Sequence, residues 1–388
     1  MRERNNRVQE AFFALVKAGL WEGVNVNDNL DHNLFEGVDW SEVQQLAEEQ
    51  SVVGLVAAGI DVFKTQVQDF KIPKADALQF IGQTLQLEQR NQAMNYFIGV
   101  LVDKMRAAGI YTLLVKGQGI AQCYAKPEWR ACGDVDFFLS DDNYEKAKAY
   151  LMPLASSVEE EYVREKHLGM TIDPWVVELH GHLYSGLSSR IERELDAVLE
   201  DTFHGGNVRS WDNNGVQVFQ LSVENDAFYV FTHILQHFYK GGIGLRQICD
   251  WCRLLWTYRE TLDVKKLEKR LRAAGLMSEW RVFAAFAVEY LGMPVDAMPL
   301  YNDNDNHNDN LKRKARRIRD FVLMSGNFGH NRDSSYFQKY PYLIRKCISF
   351  GRRCGDLFRH TMIFPLDSLR FFPAMVINGM RSAARGEG

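Results

Sequence analysis

The stretch that most constrains this chain is residues 113–140, LLVKGQGIAQCYAKPEWRACGDVDFFLS. Two short apolar runs bracket a glycine-bearing turn and a proline-containing loop. This predicts a strand over residues 112–115, a turn at Lys116, Gly117, Gln118 and Gly119, a short helix over 120–125, and a second strand over 135–139. In the second strand, side chains alternate between faces. Asp134 and Asp136 therefore point one way, while Val135, Phe137 and Leu139 point into a core. Strands disfavour Asp, and two like charges on one face repel. Such a pair calls for a positive counterpart, and a divalent cation is the usual one.

Length and composition set the frame around that stretch. A chain of 388 residues carries enough apolar residues (46% of the total) for a sizeable core, and 25% charged residues is ordinary for a globular protein. No run approaches the roughly 18 apolar residues of a membrane span. Met1-Arg2-Glu3-Arg4-Asn5-Asn6 holds no apolar signal segment. Six scattered cysteines fit reduced thiols and a cytoplasmic location better than a disulfide framework. Charge is unevenly spread: from residue 311 onward there are 16 Lys and Arg against 5 Asp and Glu, a net of +11, and the remainder has 30 against 45, a net of −15. The basic C-terminal region is expected to dock on the acidic body, or else to offer a surface to an anionic partner such as nucleic acid or lipid headgroups.

Periodicity divides the chain into four regions. Residues 1–109 read as all-helical, with a helix over 10–20, a capping box at Ser41 and Gln44, and a long stripe after Pro73 through Leu78, Ile81, Leu85, Met94, Ile98, Leu101 and Met105 that Gly109 closes. Residues 110–222 read as the α/β core: a helix over 141–151, a hairpin of residues 162–172 and 175–183 turning at Asp173-Pro174, and a strand through Val216, Val218 and Leu221 after the Asn213-Asn214-Gly215 turn. Residues 223–301 return to helix, broken at Gly241-Gly242-Ile243-Gly244. Residues 302–388 hold an Asn/Asp run (302–310) that reads as a flexible surface loop, the basic segment 312–319, and a tail whose last residues, 383–388, are expected to be disordered.

A third acid for the Asp134/Asp136 pair should come from a neighbouring strand. Glu178 is the choice, because Glu178, His180 and His182 share one face of the 175–183 strand. His180 and His182 face the same way and are candidates for metal or substrate contact. His233 and His237 stand four residues apart, but without a Glu after His233 they form no metalloprotease motif and read as structural. Cys249 and Cys252 form a lone CxxC and read as core thiols. Arg246, after the glycine break, is placed either on a nucleotide or in an ion pair with Asp250.

These motifs together resemble the nucleotidyltransferases of the DNA polymerase β superfamily, in particular a branch of uncharacterised bacterial members. The resemblance is carried by Lys116-Gly117-x-Gly119, Arg130, Gly133-Asp134-Val135-Asp136 and the strand Val177-Glu178-Leu179-His180, within residues 10–290. The chain departs from the family's common Gly-Ser or Gly-Gly pair by having Gly117-Gln118-Gly119. The resemblance implies an α+β fold: a small mixed-sheet palm flanked by N-terminal and C-terminal helical regions. It implies Mg²⁺ or Mn²⁺ held by Asp134, Asp136 and Glu178, with Glu178 also helping to deprotonate the acceptor. It implies an NTP such as ATP bound by Lys116, Gly117, Gln118, Gly119, Arg130, His180 and Arg246, and transfer of NMP to a small molecule, sugar, protein or RNA. The alternatives are a degenerate nucleotide- or partner-binding protein, which needs no metal triad, and a toxin-like enzyme acting on tRNA, for which the basic tail would hold RNA.

Overall fold

The structure is a computed structural model that describes residues 2–23, 26, 34–240, 242–326, 342–371 and 373. Four helices come first: α1 (Arg2–Leu20), α2 (Trp40–Glu49), α3 (Val53–Gln66) and α4 (Lys74–Ala107). The sheet is then laid down as β1 (Leu113–Val115), β2 (Asp134–Phe138), β3 (Ser157–Val158), β4 (His167–Ile172), β5 (Trp175–His180), β6 (Val208–Asn213) and β7 (Val216–Leu221), with helices α5 (Gly117–Ala121), α6 (Asp141–Leu151) and α7 (Ser189–Phe203) between them. Helices α8 (Val223–Lys240), α9 (Leu245–Thr257), α10 (Val264–Ala274), α11 (Met277–Leu291), α12 (Asp303–Asn306) and α13 (Asp309–Ser325) follow, and then a last helix, Tyr342–Thr361. No described helix is long and apolar enough to cross a membrane.

The seven strands form one mixed sheet in the order β3-β4-β5-β2-β1-β7-β6. β2 runs parallel to β5 and antiparallel to β1, so the two acid-bearing strands are direct neighbours near the middle of the sheet. The two faces bury different cores. On one, Leu114, Val135, Phe137, Val177 and Leu179 pack under α4 and α6, against Met94, Ile98, Met105 and Tyr144. On the other, Leu113, Val115, Phe138 and Leu221 join the larger core of α1, α3 and α7–α11. The period of two thus assigns the acid-bearing face of β2 to the side covered by α8 and α9.

Several local expectations shift. α2 is capped not by Ser41 and Gln44 but by Asp39, whose Oδ1 accepts from the Ser41 and Glu42 amides; Gln44 turns to Glu48. The predicted stripe of α4 splits. Met94, Ile98, Leu101 and Met105 are buried and continue through Phe80, Thr84 and Asn91, while Leu78, Ile81 and Leu85 are all more than half exposed. Steps of three and four fit either face of a 34-residue helix, and contacts with the body decide which face is inward. The 302–310 run is not a flexible loop. Asn302 caps α12 and Asn308 caps α13, each accepting two backbone N–H bonds, and the basic segment 312–319 lies within α13. The hairpin starts at His167 rather than residue 162, because residues 163–166 are used in a turn. β6 is an additional strand; its polar outer positions hid it. Gly241 and residues 383–388 lie outside the described residues.

Candidate active site

β1 delivers the chain to Lys116, which has φ 56° and ψ −146°. A residue with a Cβ pays about 1–3 kcal/mol for such a backbone. Gly117 follows at φ 42°, and α5 begins there, three residues earlier than the sequence suggested. The unusual turn aims the Lys116 ammonium back along the sheet, 2.8 Å from Asp136 Oδ1. Gln118 is turned inward: its Nε2 donates to Asn91 Oδ1 at 2.8 Å. A Cβ at Gly119 would lie 2.4 Å from Gln220 Nε2, so that side-chain amide would have to shift.

The parallel pairing of β2 and β5 sets Asp136 directly across from Glu178. Asp134, two residues back, shares that face. The structure therefore brings Asp134, Asp136, Glu178, His180 and Lys116 together. His180 Nε2 lies 2.9 Å from Asp136 Oδ1 and 3.4 Å from Glu178 Oε2. A residue the sequence reading missed completes the group: His167 on β4 puts its Nε2 3.1 Å from Glu178 Oε2. The signal was available, because a two-residue turn at Asp173-Pro174 pairs His167 with His180 and Gly169 with Glu178. His182 lies beyond the end of β5 and is not in this group. From α8, the Tyr229 ring centre stands 6.0 Å from Lys116 Nζ. His233 and His237 form their own pair, Nε2 to Nε2, 3.0 Å apart.

The two arginines go elsewhere. Arg130 is buried and bidentate to Asp250 on α9, Nε to Oδ1 at 3.0 Å and Nη2 to Oδ2 at 2.6 Å. Tyr124 Oη donates to the same Oδ1 at 2.8 Å. Arg246 gives Nη1 to the Ala131 carbonyl at 2.8 Å. Of the two readings of Arg246, the ion pair with Asp250 is not formed, because the loop after Pro127 brings Arg130 onto α9 to take that carboxylate. Cys249 and Cys252 are buried free thiols.

Charge in the site is unevenly balanced. Burial disfavours the Lys116 ammonium more than any single neighbour favours it, but Asp136, Tyr229, Asp134 and Glu178 together hold the pKa well above the ordinary lysine value. Asp136 is buried too, yet Lys116 and the His180 hydrogen bond keep its pKa below the ordinary carboxylate value. Glu178 is likewise pushed far down, its burial overcome by hydrogen bonds from His167 and His180. His180 is raised, because its bonds to Asp136 and Glu178 exceed the cost of burial. His233 is pushed low by burial and by Lys116, and His237 by the same causes to about 3. Asp134 is the exception. Its pKa is raised, first by the charge of Asp136 and then by burial, and among the described residues its carboxylate has no hydrogen-bond or ion-pair partner.

That imbalance is the test of whether the residues fit a divalent cation. Asp134 is partly exposed, ionisable, crowded by a second carboxylate and unpaired, and Glu178 is adjacent across the strand pair. Oxygen donors of this kind, few and on one surface, are what Mg²⁺ accepts while keeping waters and substrate phosphates. The residues fit.

Three comparisons bear on identity. The sequence profile of a family described as uncharacterised nucleotidyltransferases matches residues 36–292. No curated protein matches the sequence. Among solved structures, an antigenic nucleotidyltransferase-like protein from Paracoccidioides brasiliensis aligns at 14% identity over 48% of this chain and 87% of that chain, with a TM-score of 0.31, a likeness too low to argue from.

Proposed function

Because this chain belongs to the family of uncharacterised nucleotidyltransferases, we propose that it transfers a nucleoside monophosphate from an NTP to a hydroxyl or other nucleophile at the Asp134/Asp136/Glu178 face. The resemblance to the polymerase β superfamily supports the same reading. The observation that carries it is the register of β2 on β5, which sets Asp136 across from Glu178 and leaves Asp134 on the same face without a partner.

Nucleotidyl transfer asks a protein mainly for positioning and charge neutralisation around phosphorus. Asp134, Asp136 and Glu178 are the residues that would hold Mg²⁺, which would supply electrostatic stabilisation to the attacking and leaving oxygens. The chain's own residues do the rest. Lys116 and His180 keep Asp136 ionised. Glu178, held ionised by His167 and His180, would accept a hydrogen bond from the incoming hydroxyl and orient it for attack. Lys116 sets a positive charge on the carboxylate face, beside the buried turn at Gly117, and would neutralise an incoming triphosphate. Arg130 has two of its three nitrogens on Asp250, so it acts as a positioning residue that fixes the loop entering β2, and Arg246 braces the same loop at Ala131. Gln118 and Gly119 contribute backbone only.

A second reading, nucleotide binding without catalysis, draws on one feature: Asp136 Oδ1 already carries both Lys116 and His180, so the centre is partly neutralised from within. Incubation with each α-labelled NTP, Mg²⁺ and a cell extract separates the two. Transfer predicts a labelled product that Asp134→Asn reduces by at least about a hundredfold with an unchanged fold. No label with any NTP, or full activity in the variant, defeats it.

A further inference from the structure

One group of side chains in the site has a donor chemistry of its own. On the β4/β5 side of the carboxylates, His167 Nε2, Glu178 Oε2 and His180 Nε2 all lie within 4.8 Å of one another. The two histidines are cross-strand partners in the hairpin register, and Glu178 is two residues from His180 on the same strand face. Their rings are 4.8 Å apart, centre to centre, and inclined by 35°. The two short separations, 3.1 and 3.4 Å, are those of neighbouring donors around a cation with bonds of about 2.0–2.2 Å.

The chemistry of this donor set differs from that of the acid pair. Two imidazole nitrogens and one carboxylate suit first-row transition cations, whereas Mg²⁺ demands oxygen and holds its waters. Lys116, the nearest cation given by the geometry, is spent on Asp136 Oδ1 rather than on Glu178 or either histidine. No backbone change is needed to converge the three donors, because the sheet already fixes them.

We propose that His167, Glu178 and His180 form a binding site for a nitrogen-ligated transition-metal dication of the Co²⁺, Zn²⁺ or Mn²⁺ kind. Metal binding there replaces the His180–Asp136 hydrogen bond with coordination and leaves Lys116 on Asp136. The site shares Glu178 with the transfer reading, and its two histidines are the groups that hold Asp136 and Glu178 ionised there, so it rests on the same cluster, and metal binding measured without nucleotide tells the two apart. Absence of transfer leaves metal binding measurable, and absence of metal at the histidines leaves Mg²⁺-dependent transfer intact.

The experiment is a titration of the full chain with CoCl₂, followed by visible absorption and equilibrium dialysis, without nucleotide. One Co²⁺ per chain should bind with the absorption of a nitrogen-containing site of fewer than six ligands, and millimolar Mg²⁺ should not displace it. His167→Ala and Glu178→Gln should each weaken binding by at least about tenfold; His204→Ala, at an exposed histidine outside the site, should leave it unchanged. Metal-free melting curves identify a misfolded variant, and His167→Gln then replaces His167→Ala in the same titration. No absorption, absorption that survives substitution of His167, or complete displacement by Mg²⁺ overturns the proposal.

Discussion

Two clusters of buried charge, one made by Arg130 in the loop between α5 and β2 and one on the face of β2 itself, are built in opposite ways. Around Arg130, one guanidinium meets one carboxylate through two hydrogen bonds, with the Tyr124 hydroxyl donating to the same carboxylate, and both ionic side chains are almost sealed from solvent, while the neighbouring Arg246 is held by the Ala131 carbonyl. Around Asp136, three carboxylates face one lysine and two histidines, and Asp134 is partly exposed and unmatched. A closed ion pair fixes structure, because any departure strands a charge in a medium that cannot solvate it. An open surplus of one sign raises the energy of the free protein and is relieved when something of opposite sign arrives. The difference between the two clusters, rather than the presence of charge, separates a brace from a site.

The strongest way to break this comparison is to remove the brace. Asp250→Ala leaves Arg130 buried without its anion and should cost about 3–5 kcal/mol of folding stability, read as a fall in the urea midpoint. A loss below about 1 kcal/mol would mean that the Arg130 cluster is not the structural one.

Glu279 on α11 sharpens the distinction, since it is an unmatched acid that is fully sealed. Its pKa is pushed up to about 8, by burial first and by Asp367 second, with the Ser278 hydroxyl donating to Oε2 at 2.7 Å. A folded pKa above the unfolded value of 4.5 means that the contribution is fully present below pH 4.5 and lost as pH rises toward 8. Glu279→Gln should therefore flatten the fall of stability across that window, a slope of up to about 1 kcal/mol per pH unit. Denaturation midpoints measured at several pH values check it; identical slopes in the two proteins would remove Glu279 from the comparison.

The smallest effect belongs to Asp134. Its pKa is raised above the ordinary 3.8, so its stabilising contribution is present below that pH and fades as the group ionises. At neutral pH, Asp134→Asn removes a repulsion and should leave the melting temperature unchanged or slightly higher, by on the order of half a kcal/mol. A clear drop in melting temperature would place Asp134 among the structural acids.

Much of the fold and part of the site were legible in the chain itself. The alternation through Asp134, Val135, Asp136 and Phe137 gave the strand and its two faces, and the Asp173-Pro174 turn located the hairpin and with it Glu178 and His180. His167 was legible too, by counting back from that turn, but was passed over because the strand seemed to begin five residues earlier. The Asn/Asp run was misread, because the side chains that make a sequence look loop-like are also the ones that cap helices. The exposed half of α4 was misread because a periodic stripe has no sign until something packs against it.

What the sequence determined by itself is the period of most elements, the Asp173-Pro174 turn, and which acids share a strand face. What only the tertiary structure decided is partnership across distance. That β5 lies beside β2, that Lys116 bends back onto Asp136, and that Asp250 takes Arg130 from 120 positions away rather than nearby Arg246 all follow from how layers dock. A hydrogen-bonded turn is fixed by a few dihedrals along the chain, whereas a buried charge is fixed by whichever opposite charge the packed core leaves within about 3 Å.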